Sequence, residues 1–161
     1  MSDSTESESR YEHLFVRHMP SCAGDFDNEG ERAGLELPDN LGEGHWLVPP
    51  NLIPESRINM THIWVHETDE PRHWVEPHVH DYDEVLIWTG GDPDNPEDLG
   101  AEISIEIEGE RHIITTSGSV YIPAGIVHCP LGFNRVDRPF RFSALSLSPD
   151  YRSRSERGGE L

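Results

Sequence analysis

The chain has 161 residues, of which 31 are acidic and 12 basic, and its formal net charge is −19 at pH 7. This length predicts a single domain, and so much negative charge should repel nucleic acid phosphates and anionic membrane surfaces. The strong acidity fits a salt-loving source, and a GC-rich genome that favours arginine codons is the alternative, since all twelve basic residues are arginine. The two cysteines do not make a disulfide scaffold, and neither a signal peptide nor a membrane-spanning run is found, so we expect a cytoplasmic protein with reduced thiols.

Composition divides the chain into four parts. In order they are a disordered acidic tail (1–10), an irregular N-terminal arm (11–56), a strand-rich region on which the arm packs (57–148) and a frayed tail (149–161). Within the arm, residues 11–19 could form a strand and residues 20–44 are predicted to be a surface loop. Three prolines in residues 45–56 favour an extended segment that packs but is not a central strand.

The first confident strand covers residues 57–65, and its side chains alternate between two faces. Parity does not decide which face lines the barrel interior, and one of them carries His62 and Trp64. Residues 66–76 are predicted to be a polar loop.

The stretch 77–84, with the sequence PHVHDYDE, carries the chemistry. In a strand, His78 and His80 point to the same side, and Glu84 can join them after a short turn. Two imidazoles and a carboxylate suit a borderline divalent metal such as iron, manganese, nickel or zinc. His128, at the end of the run GSVYIPAGIVH, is the candidate fourth ligand.

Alternation and turn residues predict the other strands. They are 85–89, 101–107, 111–116, 119–122 and 140–147, with turns at 108–110 and 134–139. The acidic stretch 90–100 is interpreted as a solvated loop, because its spacing does not follow a calcium-binding loop. Cys129 follows His128 and, by strict alternation, should face away from the metal.

These motifs resemble those of the cupin superfamily. The first cupin motif corresponds to His78, His80, Glu84 and a glycine at 90 or 91, and the second to Gly118, Pro123, Gly125 and His128. Two departures are the missing glycine before His78 and a second motif that is one residue short, with Gly132 where an asparagine is common. The resemblance covers residues 57–148 and implies an all-β, double-stranded β-helix (jelly-roll) barrel with the metal inside one end.

Five further residues are candidates near the metal, one for acid–base chemistry and four for the substrate pocket. His62 is a candidate catalytic acid or base if its face points inward, the alternative being a histidine held by packing. Leu86 and Trp88 keep the parity of Glu84. The pocket candidates are therefore Trp64, Leu86, Trp88 and Arg141.

The metal set and the resemblance together imply an enzyme with one divalent ion per chain that acts on a small organic molecule. A non-haem iron dioxygenase is the first hypothesis. A redox-neutral isomerase, lyase or hydrolase is the second, and a non-catalytic module that binds or senses a small molecule is the third. The resemblance also implies a homodimer, by fold-level analogy alone.

Overall fold

The structure, a computed structural model, describes residues 10–22, 37–50, 52–150 and 154–155. These residues form one 3₁₀ turn (Glu12–Leu14) and eleven strands. The strands are β1 (His45–Val48), β2 (Asn59–Val65), β3 (Arg72–Trp74), β4 (His78–Val79), β5 (Glu84–Gly90), β6 (Asp98–Ile107), β7 (Glu110–Thr116), β8 (Gly118–Ile122), β9 (His128–Val136), β10 (Phe140–Ser146) and β11 (Arg154–Ser155). The described residues contain no helix that is long and apolar enough to cross a membrane.

Two antiparallel sheets make the barrel. One has the order β1-β2-β10-β5-β8 and the other β11-β4-β9-β6-β7, with β3 also pairing with β9. When β2 and β4 to β10 are counted as eight successive strands, the sheet orders are 1-8-3-6 and 2-7-4-5. This interleaving defines a jelly roll, and it confirms the predicted double-stranded β-helix.

The core lies between the sheets and is built by strand alternation. In β6, Ile103 and Ile105 are buried, whereas Ile107 is only partly buried. In β10, Phe140 and Phe142 are buried, and Arg141 between them is exposed. Large side chains from both sheets therefore fill the space that ends at the candidate site.

The N-terminal arm differs in part from its prediction. Residues 11–19 are not a strand, because only the short 3₁₀ turn forms there. The segment after residue 44 does form an extended edge strand, β1, paired with β2. The predicted disorder of residues 1–9 and most of the predicted loop (23–36) lie outside the described residues, as do 151–153 and 156–161 of the predicted frayed tail.

Other segments also differ from their predictions. The polar loop 66–76 contains β3, whose Trp74 is buried. Strand β9 continues through residue 136, so the turn before β10 is shorter than predicted. Residues 154–155, predicted to be frayed, pair with β4. Each of these pairings joins residues far apart in sequence, and local patterns do not predict such pairings.

Candidate metal centre

The four predicted donors meet at one end of the barrel, and each sits at or beside the end of a strand. His78 begins β4 and lies opposite His128, the first residue of β9, in the antiparallel register. Glu84 begins β5, and His80 precedes it by four residues. All four side chains are buried, with exposures of 4% for His78, 3% for His80, 3% for Glu84 and 1% for His128.

Their polar atoms converge. Glu84 Oε2 lies 3.2 Å from His128 Nε2 and 3.7 Å from His80 Nε2. The ring centre of His78 is 4.8 Å from that of His80 and 4.3 Å from that of His128. His80, Glu84 and His128 form a group that could hold a metal ion, with their ligand atoms all within 4.8 Å of one another.

Backbone carbonyls fix two of the rings. The His78 Nδ1–H donates to the Glu76 carbonyl oxygen at 2.8 Å, and the His128 Nδ1–H donates to the Ile126 carbonyl oxygen at 3.0 Å. Because a carbonyl oxygen can only accept, these bonds place the proton on Nδ1 and the lone pair on Nε2. This is the carbonyl–imidazole arrangement that orients histidine ligands in metal sites.

The donor set fits a divalent cation better than it fits hydrogen bonding among its own members. Within the described part of the chain, the buried His128 Nε2 makes no hydrogen bond, although a carboxylate oxygen lies 3.2 Å away. A buried polar atom without a partner is costly. A cation between the imidazole lone pair and the carboxylate would satisfy both groups.

Electrostatics keeps the donors in their ligating forms. Burial, with the charges of His128 and His80, lowers the pKa of His78 to about 3, so this imidazole stays neutral at pH 7. Burial alone would raise the pKa of Glu84, but the neighbouring imidazoles outweigh it and hold that pKa below its ordinary value. Neutral imidazoles and an ionised carboxylate are the forms that bind metal.

A hydrogen-bonded turn supports the two halves of the site. The carboxylate of Asp83 accepts from the Ala124 backbone N–H at 2.8 Å and from the Tyr121 hydroxyl. The Gly125 N–H donates to the His80 carbonyl oxygen at 2.9 Å, and Gly125 has a φ of +84° that favours glycine. The Pro-x-Gly turn is thereby tied to both His80 and the residue before Glu84.

A mostly apolar cavity of about 40 Å³ opens onto the donors. Since a cavity needs about 10–15 Å³ to hold one water molecule, this cavity suits a molecule of few heavy atoms. Besides His78, Glu84 and His128, it is lined by Cys22, Trp46, Thr61, Trp74, Val75, Leu86, Cys129, Leu131, Phe142 and Ala144. The candidate donors therefore form the polar end of an apolar pocket.

Only one of the predicted pocket residues lines this cavity, and it is Leu86. The interior face of β2 carries Asn59, Thr61, Ile63 and Val65. Parity leaves the choice of face open, and the structure places His62 and Trp64 on the other face.

His62 and Trp64 lie on the outer face. The His62 ring nitrogen contacts Ser143 Oγ at 3.2 Å, and Trp64 is 41% exposed. Arg141 is also outside, with its guanidinium 5.7 Å from the centre of a Trp64 ring.

Trp88 is buried but belongs to the core. Its indole N–H donates to the Thr116 carbonyl oxygen at 2.9 Å, and it lies two residues beyond Leu86 on β5. Two residues along a strand correspond to about 7 Å, which takes Trp88 past the cavity wall.

Sequence reasoning missed several wall residues. Trp46 comes from edge strand β1 and Trp74 from β3, both in segments predicted to be irregular or polar. Cys22, predicted to lie in a surface loop, is 1% exposed and lines the cavity. Large aromatic residues among polar ones were the available signal for the two tryptophans.

Cys129 was predicted to face away from the donors, and this was wrong. Its Sγ forms a group with His78 and His128 in which the ligand atoms all lie within 4.8 Å of one another. The backbone reason is a positive φ of +73° at Cys129, which breaks the alternation of the strand.

No protein-family model matches the chain, and no curated protein matches it. The chain is similar to several solved structures. A cupin-superfamily protein from Desulfitobacterium hafniense has 11% identity over 72% of this chain and 85% of its own, with a TM-score of 0.45. The polyketide cyclase RemF from Streptomyces resistomycificus has 15% identity over 73% and 72% of the two chains, with a TM-score of 0.48.

A recombinant oxalate oxidase in complex with glycolate has 13% identity over 74% of this chain and 57% of its own, with a TM-score of 0.49. Cupins are thus among the structures to which this chain is similar.

Proposed function

We propose that His78, His80, Glu84 and His128 bind one divalent metal ion, and that this centre acts on a small organic molecule in the adjoining cavity. The observation that carries the proposal is the convergence of four buried donors, two of them oriented by backbone carbonyls, at the end of an apolar pocket. Four protein ligands leave two positions of an octahedron open, and open positions distinguish catalytic sites from closed structural ones.

The chain's own residues have three tasks in this proposal. The carbonyls of Glu76 and Ile126 keep the Nε2 lone pairs of two histidines directed at the ion. The Asp83 carboxylate holds the turn that precedes His128. The apolar wall, with Leu86 and Phe142, excludes water and thereby strengthens electrostatic interactions inside the pocket.

We propose iron and dioxygen-dependent oxidation as the first form of this chemistry. A bound ion of this kind would supply redox chemistry and polarise a substrate oxygen. The neutral imidazoles and the single carboxylate suit iron, and also manganese, nickel or zinc. Thr61 brings a hydroxyl group to the cavity wall, and in this proposal that hydroxyl orients a substrate oxygen.

Elemental analysis of the purified full chain tests the proposal, with His80→Ala as the test variant and His112→Ala as the matched control. His112 is an exposed residue of β7 and does not line the cavity. We expect one divalent ion per chain in the wild type and the control, and a loss of most of it in His80→Ala. Full metal occupancy in His80→Ala would overturn the ligand assignment.

Turnover assays with and without dioxygen separate the two enzymatic forms. Consumption of dioxygen that depends on both the ion and a small phenolic or diketone substrate supports the oxidative form. Substrate conversion that continues unchanged without dioxygen supports isomerase, lyase or hydrolase chemistry at the same ion. Binding of metal and ligand without any conversion supports the sensing module.

A further inference from the structure

We propose that Cys129 supplies a thiolate ligand to the same metal ion, so that the centre contains sulfur in addition to nitrogen and oxygen donors. This inference rests on the proposed metal site and adds a donor that the sequence motifs do not contain. Cys129 is 6% exposed and lines the cavity. Its Sγ and the ligand nitrogens of His78 and His128 all lie within 4.8 Å of one another.

The backbone directs two successive side chains into the pocket. On β6, Ile105 lies opposite Leu131 and Ile107 lies opposite His128, so three steps along β9 face two steps along β6. This irregularity is a β-bulge, and bulges redirect side chains next to active sites. Inside it, Cys129 has a φ of +73°, so that His128 and Cys129 both reach the cavity.

His128 belongs to both donor groups, the one with His80 and Glu84 and the one with His78 and Cys129. The two groups therefore meet at His128, and in this proposal a single ion takes donors from both of them. With metal–nitrogen distances of about 2.1 Å and a metal–sulfur distance of about 2.3 Å, two donors on opposite sides of one ion are separated by about 4.4 Å. Ligand atoms of His78, His128 and Cys129 that lie within 4.8 Å of one another are therefore close enough to share one ion.

A thiolate changes which ions the centre prefers. Sulfur is a soft donor that favours zinc and iron over manganese and magnesium, which prefer oxygen. A coordinated thiol loses its proton to solvent as the metal binds. Cys129 would fill one of the two octahedral positions left by the other four ligands, and one position would remain for substrate or water.

Cys22 provides a matched control for Cys129. Cys22 lines the same cavity and is also buried, but it belongs to neither donor group in the described residues. The two variants Cys129→Ser and Cys22→Ser therefore each remove one sulfur from the same pocket. Only the first removes a proposed ligand.

Cobalt substitution reads out the thiolate directly. The full chain is stripped of metal with a chelator, dialysed without oxygen and titrated with Co²⁺ while its absorption spectrum is recorded. We expect visible ligand-field bands together with a near-ultraviolet sulfur-to-cobalt charge-transfer band. Cys129→Ser should lose the near-ultraviolet band and keep the visible bands, whereas Cys22→Ser should keep both.

The outcomes separate this inference from the proposal on which it rests. Visible bands without a charge-transfer band in the wild type overturn the role of Cys129 and leave the four-ligand site standing. No bands at all overturn both. A charge-transfer band that survives Cys129→Ser and disappears in Cys22→Ser would show that Cys22 is the sulfur ligand, and this result would overturn the inference.

Metal selectivity gives a second measurement that does not depend on spectra. In competition titrations, Cys129→Ser should reduce the ratio of Zn²⁺ affinity to Mn²⁺ affinity by about tenfold. A tenfold change in this ratio corresponds to about 1.4 kcal/mol. An unchanged ratio in a variant whose metal-free thermal melting equals that of the wild type contradicts the inference.

Discussion

The stability of the metal-free protein should depend steeply on pH because of His78. Its pKa is lowered to about 3 in the folded chain, compared with about 6.5 in an unfolded one. Between these values the unfolded state binds a proton that the folded state does not. The free energy of unfolding is therefore highest above pH 6.5 and decreases as the pH falls.

The magnitude follows from the width of this window. Each pH unit below the unfolded pKa removes about 1.4 kcal/mol, so His78 alone should lower the free energy of unfolding by about 2 kcal/mol between pH 6.5 and pH 5. This interval ends before carboxylates begin to titrate. The lowered pKa of Glu84 also makes the free energy of unfolding decrease as the pH falls. This contribution is lost only at pH values below the ordinary pKa of a glutamate carboxyl group.

Urea unfolding at a series of pH values from 7.5 to 5, with chelator present, measures the effect. His78→Gln removes the titrating group. Between pH 6.5 and pH 5, the decrease in the free energy of unfolding should therefore be smaller in this variant than in the wild type by about 2 kcal/mol. The difference between the two slopes isolates His78 from the other histidines. Parallel slopes for the wild type and the variant would refute the assigned burial and protonation of this ring.

Three further predictions concern the walls and supports of the site. Leu86→Ala should cost about 2–4 kcal/mol of stability by urea unfolding, because it opens a cavity beside the core, while metal content stays unchanged. Trp64→Ala should leave metal content and any ligand-induced rise in melting temperature unchanged, because Trp64 lies outside the barrel and is 41% exposed. A changed metal content would contradict that placement. Asp83→Ala should weaken metal binding about tenfold to a hundredfold in a chelator competition, since it releases the bond to Ala124. Asp81→Ala, at an exposed position, is the control and should have no such effect.

Local geometry accounts for only part of the arrangement of the donors. The two-residue period of a strand directs His78 and His80 to one side. His128 lies opposite His78 because β9 pairs with β4, and the motif resemblance, not a local pattern, indicated this residue. Strand alternation also places Ile103 and Ile105 of β6 in the core.

What the sequence could not supply depended on contacts between distant segments. The interior face of β2 is set by pairing with β10, so parity alone left His62 and Trp64 undecided. Trp74 became a wall residue only because β3 pairs with β9. The bulge at residues 128–131 adds one residue to a strand, and simple alternation therefore placed Cys129 on the wrong side.

The most direct test of the metal centre is an anomalous-difference map, collected at the metal absorption edge from crystals of the metal-loaded protein. We expect one peak per chain at about 2.0–2.2 Å from the Nε2 atoms of His78, His80 and His128 and from a carboxylate oxygen of Glu84. A peak at the acidic turn 91–97, or no peak near these four side chains, would contradict the account.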